Sequence, residues 1–139
     1  MKIKDTLDEI RIYQWYKNLI IFLPIVFGKQ IFNLIVLEKT LLGFVALCLI
    51  SSTNYVINDI LDFKKNKLHH KKKLRPIASD KIKKHEAIIL ATILFILAVS
   101  ISLTLSPVFA GFVFLLFVLT QIYSLFLKYK LFIDILMKF

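Results

Sequence analysis

Residues 87–127 read AIILATILFILAVSISLTLSPVFAGFVFLLFVLTQIYSLFL, 41 consecutive positions without a charged side chain. As one helix the run would be about 60 Å long, at 1.5 Å per residue, twice the roughly 30 Å of a bilayer's hydrocarbon core. It has to fold back on itself. The turn falls at Ser106-Pro107, because proline has no backbone N–H to donate and drives the residue before it out of helical geometry. Two membrane-length helices are predicted, 84–105 and 107–127.

Upstream, residues 40–58 form a second uncharged run, which predicts a span over 39–60. The apolar stretch 19–28 is shorter and is followed by Lys29, Gln30 and Asn33. A helix starting near Tyr13 makes it a span over 13–28. Trp15 and Tyr16 then lie in the interfacial aromatic belt, Lys29 snorkels outward at the far end, and Pro24 supplies a kink. A cleaved signal peptide fits poorly: Asp5, Asp8 and Glu9 precede the apolar run and no small-x-small site follows it. Downstream, an apolar segment over 131–139 is read as the start of a fifth helix, far short of the ~20 residues a span needs. The expectation is an all-α, multi-pass transmembrane helical bundle of four spans plus the start of a fifth. By this reading the chain ends in mid-helix.

Composition agrees: 58% of residues are hydrophobic and the mean hydropathy is +0.76, too apolar for an ordinary soluble domain. The lone Cys48 lies inside an expected span, where no intrachain disulfide can form and where it serves as a small buried hydrophobe.

The charges are gathered between the helices. Of nineteen Lys and Arg, four fall in 1–17, ten in 64–84 and two at Lys128 and Lys130. By the positive-inside rule the N-terminus, the 59–84 loop and the 128–130 turn face the cytoplasm, which for a bacterial-type cell means an inner-membrane protein. For Lys64, Lys65, Lys67, Lys81, Lys83 and Lys84 this topological role is sufficient, helped by about 1 kcal/mol of attraction to anionic lipid per basic residue.

It does not account for Asp59 and Asp62, since acidic groups at a membrane boundary are costly and weaken lipid attraction. If the helix continues past Asn58, then Asn58, Asp62 and Asn66 recur at i, i+4 and i+8, and Asp59 leads Asp62 by three. Four oxygen-bearing side chains then share adjoining parts of one face. Hard oxygen ligands of this kind suit Mg²⁺, which usually takes one or two protein carboxylates and completes its shell with water and substrate phosphate. Lys72 and Arg75 are the candidate phosphate contacts, Arg bidentately and Lys as a point charge. Metal and cations would together stabilise charge building on a departing diphosphate. The structural reading of the same residues is that Asp59 and Asp62 pair with nearby lysines at a helix end, which stabilises little by itself. Zinc fits poorly: His69 and His70 are adjacent, so they diverge on a helix, and no cysteine joins them at ligand spacing.

NDILDFKKN at 58–66 resembles the NDxxDxxxD signature of the UbiA superfamily of intramembrane prenyltransferases. KLHHKKKLRPIAS is similar to the HPxKxxRPIAS version found in its decaprenyl-phosphate phosphoribosyltransferase subgroup. QWYKNLIIFLPIVF and IYSLFLKYKLFIDIL resemble two further segments of that subgroup, in the same order. The resemblance covers essentially the whole chain. It implies a helical membrane enzyme that transfers phosphoribose from phosphoribosyl diphosphate to a polyprenyl phosphate, with Mg²⁺ present and diphosphate released. By it, Asn58, Asp59 and Asp62 serve metal and diphosphate, Asn66 takes the place of a third metal-binding Asp, and Lys17, Lys72 and Arg75 bind phosphate. Tyr123 and Lys128 line the cavity from the fourth span. Asn66 lacks the charge of the Asp it replaces, His70 stands for the usual Pro and Asp80 for the usual Gly. Asp134 matches an Asp at the start of the family's fifth helix. The resemblance implies that the chain is the N-terminal portion of a longer domain, from a truncated gene or one half of a split protein. Without the family's second acidic motif on a later helix the fragment alone is expected to be inactive or incomplete, with a separate C-terminal half as its candidate partner.

Two other readings stay open. One is an aromatic-ring prenyltransferase whose acidic motif holds an isoprenoid diphosphate. The other is a non-catalytic membrane protein that binds anionic lipid or a partner subunit through its basic loop. Nucleic-acid binding is not expected, because no aromatic platform is interleaved with the lysines.

Overall fold

The computed structural model describes residues 1–128 and residue 130; the expected fifth helix over 131–139, with Asp134, lies outside the described residues. All regular structure among them is helical: α1 (Ile3–Ile10), a 3₁₀ helix (Ile12–Phe22) running into α2 (Leu23–Phe27), α3 (Leu34–Leu61), α4 (Phe63–Leu68), a 3₁₀ turn (Lys72–Leu74), α5 (Lys84–Leu105), α6 (Pro107–Ile122) and a π-helical turn (Tyr123–Leu127). Three stretches are long and apolar enough to cross a membrane, Leu34–Leu61, Lys84–Leu105 and Pro107–Leu127, while Ile12–Phe27 is apolar but shorter.

The central helix is α3, begun by the Asn33 side chain, whose oxygen accepts from the amides of Ile35 and Val36 at 3.1 and 3.3 Å. This cap satisfies two donors that the first turn would otherwise leave open. Helix α5 packs along α3 through a stripe of mostly small residues, Ala87, Ala91, Leu94, Ala98 and Ser102, all buried. Small side chains let two backbones approach closely, which matters in a bilayer because lipid is as apolar as leucine and no hydrophobic drive brings helices together. The large residues of α5, such as Ile88, Ile93 and Ile96, point outward. Ser106 ends α5 and caps α6, its hydroxyl accepting from the Val108 amide at 3.1 Å, with Pro107 in the first turn where its missing N–H leaves nothing unpaired.

The segment Ile12–Phe27 runs antiparallel to α3 along most of its length. The order of contacts shows it: Arg11 meets Asp59, Trp15 Nε1 donates to Ser52 Oγ at 3.0 Å, Asn18 Nδ2 lies 3.5 Å from Cys48 Sγ, and Phe22 packs on Phe44 with centroids 5.7 Å apart. From Trp15 to Phe22 the chain advances seven residues while its partners on α3 advance eight, from Ser52 to Phe44. The 3₁₀ winding explains the reach, because a rise of about 2.0 Å per residue exceeds the 1.5 Å of an α-helix. Ile12–Phe27 thereby extends about 30 Å. Pro24 falls in the first turn of α2, where the winding relaxes from 3₁₀ to α.

Gly43 sits where this segment and α6 meet α3: a Cβ there would lie 3.1 Å from Ile21 Cδ1 and 3.5 Å from Phe109 Cζ. The nearest atom is a terminal methyl that can swing aside, so Gly43→Ala should melt within about 1 kcal/mol of wild type, helix propensity offsetting the tight contact. Gly43→Leu has nowhere to go and should cost about 2 kcal/mol by thermal unfolding in detergent.

Candidate functional site

Helix α3 carries Asn58 and Asp59 in its last turn, and α4 continues from it with helical hydrogen bonds from the Asp62 amide to Asn58 and from the Asn66 amide to Asp62, Asp62 being the joint between them. The near-continuity places Asp59, Asp62 and Asn66 on the inner side, where they are 2%, 6% and 1% exposed. Asn58 is half-buried beside them.

Each carboxylate is met by cations from distant parts of the chain. Asp59 accepts from Arg75 Nη1 at 2.6 Å and from Arg11 Nη2, which reaches both its oxygens at 3.0 and 3.2 Å. Asp62 accepts from Lys128 Nζ at 3.0 Å. Lys72 lies close enough to Arg75, Lys128 and Asp62 to feel all three, and its ammonium pKa is lowered, first by partial burial and then by repulsion from Arg75 and Lys128. The sequence-predicted Asp59, Asp62, Lys72, Arg75 and Lys128 are thus brought together. Asn66 joins them as a buried amide whose Nδ2 has no hydrogen-bond partner.

Lys17 and Tyr123 stand apart. Lys17 is exposed on the 3₁₀ helix and donates to Gln14 at 3.3 Å. Tyr123 is half-exposed at the start of the π-helical turn. His69 and His70 do not diverge, because His69 ends α4 in an extended conformation; their rings stack at 5.0 Å, and His69 Nδ1 accepts from the amides of Lys71 and Lys72. It caps the 3₁₀ turn that carries Lys72.

The RPIAS stretch is a wedge with two ends. Arg75 points to Asp59, while Ile77, fully buried, packs in a cluster with Ile10, Val56, Ile82, Ala87, Ala91 and Leu94. Burying Ile77 supplies on the order of 2 kcal/mol, which holds the arginine's backbone in place. The Ser79 hydroxyl and amide both close the turn on the Arg75 carbonyl at 2.8 Å. Asp80, at the position of the family motif's glycine, has φ 63°, a left-handed conformation that glycine adopts without cost, and its carboxylate meets Lys67 at 3.1 Å.

Two residues of the site were not singled out in the sequence, Glu9 and Arg11. Arg11 is left-handed at φ 54°, an uncommon conformation for a side chain of its size, and it forms the corner between α1 and the 3₁₀ helix. The corner aims its guanidinium at Asp59 and over the Tyr55 ring, 4.5 Å from the centroid. Glu9, only 1% exposed, lies against Asp59 and near the Ile77 amide, and among the described residues neither of its oxygens receives a well-formed hydrogen bond. Burial, then the opposing charge of Asp59, pushes its carboxyl up to about 8 from 4.5. Acidic residues on a short amphipathic leader give only a faint signal, since nothing local marks which of them turns inward.

Among the described residues, no three His, Cys, Asp or Glu side chains converge as a ready-made metal cage. The donor chemistry nonetheless fits a hard divalent cation shared with a substrate, since such a cation asks for one or two protein carboxylates and takes its other oxygens from phosphate and water.

The profile of the UbiA prenyltransferase family matches residues 20–138. The chain belongs to this family. It is 33% identical over 133 residues to the uncharacterized protein y4nM of Sinorhizobium fredii, covering 96% of this chain and 26% of that protein. It is 30% identical over 104 residues to the decaprenyl-phosphate phosphoribosyltransferase of Mycolicibacterium smegmatis, covering 72% of this chain and 33% of the relative. The nodulation protein NoeC of Azorhizobium caulinodans shares 33% identity over 76 residues, 54% of this chain and 24% of NoeC. The chain therefore spans about a quarter to a third of the length of the curated relatives it matches. UbiA enzymes generally use a divalent metal, and the family's membrane setting agrees with the apolar helices.

Two measurements test the electrostatics. Arg11→Ala leaves the buried Asp59 with one cation in place of two and should lower stability by about 2 kcal/mol in thermal unfolding. For Glu9, a folded pKa near 8 against 4.5 means that the native state keeps a proton the unfolded chain releases. Its contribution is fully present below about 4.5 and is lost as pH rises through about 8. In metal-free buffer, Glu9→Gln should gain Tm relative to wild type as pH is raised across that window.

Proposed function

We propose that this chain supplies the first part of an inner-membrane transferase that moves phosphoribose from phosphoribosyl diphosphate to a polyprenyl phosphate, with Mg²⁺ bound and diphosphate released. The observation that carries the reading is the buried network at the end of α3, where Asp59 and Asp62 are paired with Arg75 and Lys128 and accompanied by Lys72. A solvated loop whose task is topology alone has no need to bury carboxylates this deeply. The similarity to a decaprenyl-phosphate phosphoribosyltransferase supports the choice of donor and acceptor. Helices beyond those described, from the same chain or from a separate C-terminal half, complete the cavity. In this reading the basic N-terminus and loop, and the site with them, face the cytoplasm, as the positive-inside rule favours.

In this reading Asp59 and Asp62 hold the cation, assisted by Asn58 and the Asn66 carbonyl oxygen, and Arg75, Lys72 and Lys128 hold phosphate oxygens, with Lys17 and Tyr123 nearer the cavity's rim. Mg²⁺, when bound, neutralises charge on the diphosphate. The resting pairs imply an exchange of partners: Arg75 and Lys128 leave carboxylates for phosphate as the donor enters. Because the site is buried, each new contact acts at reduced dielectric and strengthens as the leaving group gains charge. An apolar groove of about 360 Å³, lined by Thr53, Ile57, Ile60, Ala91, Phe95 and Phe117, begins on the same last turns of α3 and suits an isoprenoid tail.

Membranes containing the completed bundle, given labelled phosphoribosyl diphosphate, polyprenyl phosphate and Mg²⁺, should form a lipid-linked product. Asp59→Asn or Asp62→Asn should each lower the rate by at least about 100-fold. Label transfer from a prenyl diphosphate to a phenolic acceptor, with none from phosphoribosyl diphosphate, would instead establish aromatic prenylation. Lipid binding that survives both substitutions, without any transfer, would leave only a non-catalytic role.

A further inference from the structure

Glu9 is unusual among the site's carboxylates. Asp59 is occupied by two guanidiniums and Asp62 by an ammonium, whereas both oxygens of Glu9 are buried without a well-formed hydrogen bond among the described residues, their polar company being the Asp59 carboxylate and the Ile77 amide. A buried carboxyl without donors is costly, and in a native fold it calls for a proton, an ion or a ligand. A proton satisfies it poorly: the single O–H could be shared with Asp59, and the second oxygen would be left with the Ile77 amide, which does not meet it at good hydrogen-bond geometry. A glutamine or an apolar side chain at this position would meet the needs of packing at lower cost.

Its placement is equally specific. Glu9 is the penultimate residue of α1, and the left-handed corner at Arg11 turns the chain so that Glu9 and Arg11 both reach Asp59. The electrostatic conflict between Glu9 and Asp59 is what a dication would remove.

We propose that Glu9 is a metal ligand, its carboxylate and that of Asp59 supplying two oxygens to one divalent cation, with phosphate and water completing the shell. The proposal rests on the metal–diphosphate reading above and adds to the site a residue from the N-terminal helix, outside the α3–α4 motif. Arg11, released from Asp59 by the cation, becomes available to the phosphates.

The test is Mn²⁺ binding by the full chain in detergent, followed through the electron paramagnetic resonance signal of free Mn²⁺, with and without inorganic diphosphate. Wild type should bind Mn²⁺, and Glu9→Gln should weaken binding at least about tenfold. Asp8→Asn, an exposed neighbour, should leave it unchanged. Glu9→Gln binding Mn²⁺ as wild type does would overturn the role of Glu9 and leave the metal–diphosphate reading standing. Wild type binding no Mn²⁺ under either condition would overturn both. A second variant keeps the test decisive if Glu9→Gln fails to fold: Glu9→Asp, which keeps the carboxylate on a shorter arm, should also weaken Mn²⁺ binding. Wild-type affinity in Glu9→Asp and in Glu9→Ala alike would count against the assignment.

Discussion

Asp59 is the pivot of the molecule. Taking a carboxylate out of water costs several kcal/mol unless cations replace the water, and here they come from opposite directions in sequence, Arg11 from the leader and Arg75 from the loop. Three segments are thereby fixed to one another at one end of the bundle. The cluster of Ile10, Val56, Ile77 and Ile82 lies beneath the charges and keeps their backbones in register. The ionic layer gives the assembly its geometry, and the apolar layer supplies most of the energy.

What the sequence discloses follows from the range of each effect. The all-helical membrane bundle was legible because it rests on uncharged runs and on a proline that cannot continue a helix. Asp59, Asp62, Lys72 and Arg75 could be named because their spacing on one stretch of chain is itself the pattern. Lys128 needed the family resemblance, since a lone lysine after an apolar helix is commonplace. Glu9 and Arg11 stayed hidden for a different reason. Which side of a short amphipathic helix faces inward depends on a single left-handed residue at its end, and an arginine gives no local hint of that conformation. The stacking of His69 on His70 was likewise invisible, because it follows from a helix that ends just before them.

The pairing of the site's own charges bears on how it would be loaded. The groups suited to grip a donor already grip one another, so a cation alone or a diphosphate alone displaces a good partner and leaves the other member uncompensated. Arriving together they replace every lost contact. Under the proposed function such a site would discriminate against partial ligands without any moving lid.

The tightly wound Ile12–Phe27 segment carries a lesson about sidedness. It passes from one end of the bundle to the other with fewer residues than an α-helix would use, and so escapes criteria set by ordinary helix length. A tally of conventional stretches comes out odd, while the path of the backbone comes out even. Anyone placing reporter tags from the tally would assign the amino terminus and the acidic cluster to opposite compartments, although Arg11 and Asp59 are in contact.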